Sequence, residues 1–118
     1  MSLDEAFRVE LARFDRRVRI AILQAARLLE VEGPQLGRPR VDTLKGSRHA
    51  NMKELRPTVN KVEWRVAFAF DPKRRAVLLA AAAKGGHKRA YDMLIRTADK
   101  RFDAHLAATA KEGEADGR

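Results

Sequence analysis

Six side chains in the middle of this 118-residue chain could act together on a phosphate: Glu54, Arg56, Arg65, Lys84, His87 and Tyr91. Arg56, Arg65 and Lys84 fall on three neighbouring strand-like runs or their ends, and the only tyrosine follows shortly after. A guanidinium is planar and forked, so it can hold two phosphate oxygens at once, which an ammonium cannot. Tyr91, His87 and Glu54 are the groups beside these cations that could move a proton. Metal chemistry lacks a pattern: His49, His87 and His105 stand far apart, and cysteine is absent. Lys84-Gly85-Gly86 is too short for a phosphate-binding glycine loop. The combination reads as a surface that grips phosphates, with no cofactor implied.

A second set could position a polyanion. Lys45, Arg48 and His49 lie in the connection from Gly33 to Asn51, Lys53 precedes Glu54, and Lys88 and Arg89 precede Tyr91. Each also reads as ordinary solvated surface. The charge distribution favours the first reading. Residues 34–66 carry eight basic groups against three acidic, and residues 67–101 nine against three. Residues 1–33 are balanced and 102–118 are acidic, so the net +9 comes from the middle. A local excess of this kind is the footprint of a nucleic-acid binder.

The elements that position these groups follow from periodicity. Apolar residues at Leu3, Phe7, Leu11, Phe14, Val18, Ile22, Ala25 and Leu29 recur at helical steps. Asp15 suits an N-cap, which favours two helices, 3–13 and 16–32, over one. Gly33 and Pro34 stop the second. Met52–Arg56 reads as a short strand closed by Pro57. Val62–Phe70 alternates, with Val62, Trp64, Val66, Phe68 and Phe70 on one face and Glu63, Arg65, Ala67 and Ala69 on the other. Ala76–Ala83 is apolar on both faces and reads as a central strand. His87–Ala108 is helical, with a stripe through Tyr91, Leu94, Ile95, Ala98, Phe102 and Leu106. The order ααβββα predicts an α+β domain over 1–109, with helices on one face of a small antiparallel sheet and a disordered tail at 110–118.

Length and composition bound the rest. The chain has the size of one domain, and 45% hydrophobic content supports a core. No apolar run reaches the roughly 18 residues of a membrane span. The opening MSLDEAFRVEL mixes acid and base, unlike a signal peptide. With no cysteines, this points to the cytoplasm.

Four stretches carry a resemblance: LGRP at 36–39, VDTLKGSRHANMKELRP at 41–57, WRVAFAFDPKRRAVLLAAAAKGG at 64–86 and ADKRFDAHL at 98–106. Together they resemble RelE/ParE-superfamily toxins, in the HigB-like, phage Gp49-like branch of type II toxin–antitoxin systems. The resemblance implies a compact sheet with a helical hairpin, ribosome-dependent mRNA cleavage, and neutralisation by a cognate antitoxin, often a helix-turn-helix protein. In RelE-like members an arginine after a tyrosine contacts the scissile phosphate; here the pair is Trp64-Arg65. The basic residue ending the last strand falls near Lys84, and the following tyrosine on Tyr91. Glu54-Leu55-Arg56 matches the HigB-like Glu-Leu-Arg, whereas RelE itself has a cation at the position of Glu54. Family members also begin with a short strand, and no strand pattern is visible before the first helix here, which leaves two readings: that edge is missing and the sheet is smaller or partner-dependent, or the start site differs.

The implied chemistry needs a base for the 2′-OH, charge on the phosphate and an acid for the 5′-oxygen. Arg65, supported by Arg56 and Lys84, fits the charge. Tyr91 and Lys84 would need pKa values lowered by neighbouring cations, while His87 already titrates near neutrality. Two other readings share the fold: a ParE-like gyrase inhibitor and a non-catalytic RNA-binding protein.

Overall fold

The computed structural model describes residues 1–85 and 88–116. His87 and the last two residues lie outside it. Helix α1 spans Glu5–Arg13 and α2 spans Arg16–Glu32. Asp4 and Asp15 cap them, their carboxylates accepting the amides of Phe7 at 3.0 Å and Arg17 at 2.9 Å. Gly33 ends α2 with φ 71°, a left-handed conformation that a side chain disfavours. The two-helix reading holds, with α2 on its expected bounds and α1 beginning at Glu5 because Leu3 is taken up by a strand and Asp4 caps the helix.

The sheet is larger than the sequence suggested. Its strands are β1 (Ser2–Leu3), β2 (Val41–Thr43), β3 (Lys53–Leu55), β5 (Val62–Phe70) and β6 (Ala76–Ala83), in the order β1-β6-β5-β3-β2. A short β4 (Thr58–Val59) pairs with the start of β5 through a turn at Asn60 and Lys61, both with positive φ. The first-strand edge is present, which corrects the reading of it as missing. Ser2 and Leu3 pair in parallel with Val77 and Leu78, so the sheet is mixed. Two residues carry no periodicity, which is why that strand was invisible.

The helices also divide differently. The hairpin α1–α2 packs Phe7, Leu11, Val18, Ile22, Ala26 and Leu29 against Val66, Phe68 and Leu78. Helix α3 (Lys88–Asp116) packs Leu94, Ile95, Ala98 and Phe102 on the other face, against Ala67, Ala69, Leu79 and Ala80. The expectation of helices on one face is therefore corrected. Alanines on β5 and β6 make room for α3, and both faces are covered. Helical backbone in α3 also runs on to Asp116, past the expected end at Ala108.

A bulge adjusts the register between β5 and β6. Ala67 pairs with Ala80 but Phe68 with Leu78, leaving Leu79 as an extra residue. Leu79 and Ala80 consequently both face α3. The freed Leu79 carbonyl accepts from Arg101 Nη1 at 2.8 Å, and that guanidinium also holds both oxygens of Glu10, at 2.9 and 2.6 Å. Arg101 thus ties α3 to α1 across the sheet edge.

A candidate phosphate-binding active site

Strand alternation brings the central groups together. Glu54 leaves β3, and Arg56 just past its end, on the face toward α3, and Glu63 and Arg65 leave β5 on the same face. The first turns of α3 place Tyr91 above them. Glu54 is 2% exposed and is the hub. Its Oε1 accepts from the Tyr91 hydroxyl at 2.8 Å, while its Oε2 accepts from Arg56 Nε at 3.0 Å and from Arg65 Nη1. A buried carboxylate needs such partners, because an unpaired one would cost several kcal/mol.

The outer shell is also paired. Glu63 lies 3.5 Å from Arg65 and 3.7 Å from Lys84, and Asp42 accepts from Arg56 at 3.1 Å. The expected patch of bare cations is therefore a ring of three cations interleaved with three carboxylates. The sheet side carrying Arg65 is not open either: α3 covers it, and the side chain is 13% exposed. What remains accessible is a cleft of about 310 Å³ lined by Arg65, Ala82, Ala83, Lys84, Gly85, Ala90, Tyr91 and Leu94.

Electrostatics separate the roles. Burial pushes the Tyr91 phenol up to about 12, and the Glu54 carboxylate adds to this, while Arg65 and Arg56 pull the other way and lose. The expectation of a cation-lowered tyrosine does not hold; Tyr91 is a firmly protonated donor. For Arg56, burial disfavours the charge, and Glu54, Asp42 and Glu63 more than offset it.

The other expected residues divide. Lys84 is exposed at the cleft, and Lys88 and Arg89 are exposed on the first turn of α3, where they line a separate depression with Asp92, Met93 and Arg96. Lys45 is exposed in the loop after β2. Lys53 points to the α1–α2 side, opposite its neighbour Glu54, as alternation requires. Arg48 and His49 pin their loop to α3: both hold Asp103, Arg48 from an exposed position and His49 Nε2 at 2.7 Å, and the Arg48 amide donates to Asp99 at 3.0 Å. Ser47 also donates to Asp99, and His49 stacks edge-on against Phe102 with centroids 4.9 Å apart. Gly46 keeps this crossing tight, since a Cβ there would meet Ile95 at 3.2 Å. His87 lies outside the described residues. Among those described, no cluster of three or more His, Cys, Asp or Glu could hold a metal ion, and no helix is long and apolar enough to cross a membrane.

Glu63 and Asp42 were missed as site residues. Glu63 had a signal, being two residues before Arg65 in an alternating strand. Asp42 had none, because β2 was not visible and only its pairing with β3 sets Asp42 opposite Glu54.

The fold and the site define a small α+β domain whose sheet end carries a guanidinium–carboxylate–phenol cluster. Residues 9–103 match the family model described as Phage derived protein Gp49-like (DUF891), and the chain belongs to that family. The HigB-like resemblance read from the sequence is borne out. A Mycobacterium tuberculosis protein named "Putative toxin HigB2" is 50% identical over 95 residues, covering 79% of this chain and 47% of that protein. "Putative toxin HigB3" of the same organism is 46% identical over 95 residues, covering 80% of this chain and 82% of that protein. The chain thus spans about half the length of the first relative. No solved structure matches the chain.

Proposed function

We propose that this protein is the toxin of a type II toxin–antitoxin module, acting in the cytoplasm as a ribosome-dependent mRNA endoribonuclease without a metal. A cognate antitoxin, of the helix-turn-helix kind, would neutralise it. One observation carries the reading: Arg65 and Tyr91, distant in sequence, meet on the single carboxylate of Glu54 at a cleft that also holds Lys84.

In this reading the scissile phosphate enters the cleft and takes the loosely held outer bonds of Arg65 and Lys84 from Glu63. The 2′-OH loses its proton to a base, its oxygen attacks phosphorus, and the bond to the 5′-oxygen breaks, leaving a 2′,3′-cyclic phosphate. Tyr91, protonated at neutral pH, is the proton donor for the leaving oxygen once its hydroxyl turns to that oxygen from Glu54. Glu54 positions Arg56, Arg65 and Tyr91. The base is His87 or a group of the ribosome; Glu54 already has its oxygens occupied by three donors.

The test is Arg65→Ala. Loss of one preorganised donor costs about 3–4 kcal/mol, or 10²–10³ in rate. Brief induction in cells followed by mapping of RNA 5′ ends should show new ends with the natural chain and none with the variant. Unchanged cleavage by a folded variant would remove Arg65 from the mechanism. A DNA-damage response with intact message would replace the nuclease reading with gyrase inhibition.

A further inference from the structure

Of the three carboxylates in the ring, two are bonded in place and one is not. Glu54 accepts from Tyr91, Arg56 and Arg65, and Asp42 accepts from the Thr43 amide, Arg38 and Arg56. Glu63 faces Arg65 Nη2 at 3.5 Å, Lys84 Nζ at 3.7 Å and Arg56 Nε at 3.8 Å. All three separations exceed the roughly 3.2 Å of a hydrogen bond from nitrogen. The side chain is 30% exposed, so it can swing toward solvent. Its backbone cannot follow. Glu63 pairs with Thr58 of β4, and its carbonyl accepts the Lys84 amide at 2.7 Å.

We propose that Glu63 is a specificity-determining residue: its carboxylate stands in for the phosphate in the free cleft, yields to an internucleotide phosphodiester, and turns away terminal phosphates and nucleoside polyphosphates. The proposal rests on the reading of this cleft as the site of a scissile phosphate. Arg56, Arg65 and Lys84 face Glu54, Glu63 and Asp42, so the formal charges of the ring cancel. A phosphodiester carries one charge, as the Glu63 carboxylate does, and replaces it one for one. A free ligand can also settle close enough to make the bonds that a carboxylate on a fixed strand does not.

A terminal phosphate carries about two charges at neutral pH, and a nucleoside polyphosphate carries more. The displaced carboxylate stays near the bound anion because its strand is tied on both sides. It therefore repels each added ligand charge, a repulsive element aimed at the wrong ligand. Without it, a cleft of about 310 Å³ lined by Arg65 and Lys84 would take a free nucleotide as readily as a strand.

Two probes separate the ligand classes: a 2′-O-methyl uridine dinucleotide with a single internucleotide phosphate, and 2′-O-methyluridine 3′-monophosphate. Neither has the attacking hydroxyl. Amide chemical shifts of Ala82, Ala83 and Gly85 in the full chain report binding at the cleft. The natural chain should bind the dinucleotide more tightly than the monophosphate. Glu63→Gln keeps the shape and removes the charge, and should tighten binding about tenfold per ligand charge. The dinucleotide then gains about tenfold and the monophosphate about a hundredfold, moving the preference about tenfold toward the monophosphate. Glu63→Ala should move it the same way. Glu5→Gln makes the same charge change at an 88% exposed position on α1 and should leave both affinities within about twofold. An unchanged preference in Glu63→Gln, equal tightening of both probes, or the same shift in Glu5→Gln would each overturn the proposal. The two readings fail separately. If the dinucleotide moves those amides and Lys84→Ala weakens it, the phosphate site stands whatever Glu63 does. If neither probe moves them at millimolar concentration, in the natural chain or in Glu63→Gln, the phosphate site and the role of Glu63 fall together.

Discussion

Tyr91 and Glu54 share a hydrogen bond whose proton stays with the phenol, and that fixes what the cleft can donate. Tyr91→Phe removes one donor from a buried carboxylate and should lower stability by about 1–2 kcal/mol. If Tyr91 is the acid, it should also cut the cleavage rate by about 10²–10⁴, measured on ribosomes programmed with message. A rate loss no larger than the stability change explains would leave Tyr91 a packing residue. The sequence located this pair only in part. Arg65, Glu54 and Tyr91 stood out because alternation and scarcity marked them, but their mutual pairing depends on α3 crossing above β3 and β5. Arg48 and His49 show the opposite case. As types they suit phosphate, yet Asp99 and Asp103, half the chain away, claim them.

At the scale of the elements, long periodic segments were legible and short ones were not. Both hairpin helices, β5 and β6 follow from spacing and caps. Strands β1 and β2 have two and three residues, below any usable period, and exist because neighbours offer them a ladder. One short turn has a measurable signature. Asp71 begins the β5–β6 turn, where its carboxylate accepts the amides of Lys73 and Arg75, the Arg75 side chain, and His105 of α3 at 2.9 Å. Burial pushes its pKa up, but the bonds from His105 and Arg75 win and hold it at about 2. A depressed carboxylate stabilises the fold above its unfolded pKa, near 4, and that contribution fades as pH falls toward 2. It amounts to about 2 kcal/mol. Urea titrations should find Asp71→Asn less stable than the natural chain at pH 7, with the gap closing between about pH 4 and pH 2. A constant gap would mean that the turn is held by something other than this charge. At the opposite edge, Arg101→Met removes the link among Leu79, Glu10 and α3. It should cost about 1–3 kcal/mol by the same titration at neutral pH.

For the whole molecule, net charge and usable charge differ. The sequence gives +9, concentrated in residues 34–101, a local excess that reads as the footprint of a polyanion binder. Folding sorts them. Arg56 and Arg65 are held in the carboxylate ring, Arg48 is fastened to Asp103, and Arg75 to Asp71. Lys88 and Arg89 are exposed and, among the described residues, without ion pairs, while Lys84 has only its 3.7 Å contact with Glu63. RNA affinity should therefore depend on the cations that folding leaves without a close carboxylate partner, not on the whole basic set. Each phosphate contact to a single strand contributes about 0.7 to the slope of log affinity against log salt. Binding of a 2′-O-methyl RNA, which lacks the attacking hydroxyl, can be followed over a salt series without cleavage. Lys84→Ala and Lys88→Ala should each flatten that slope by about 0.7. Arg48→Ala should leave the slope unchanged, because Asp103 holds that guanidinium, and should lower thermal stability only slightly, since the amide of residue 48, Ser47 and His49 still tie the loop to α3. If Arg48→Ala flattens the slope as much as Lys88→Ala, the loop must let go of α3 to meet RNA, and its ion pair with Asp103 belongs to the free state alone.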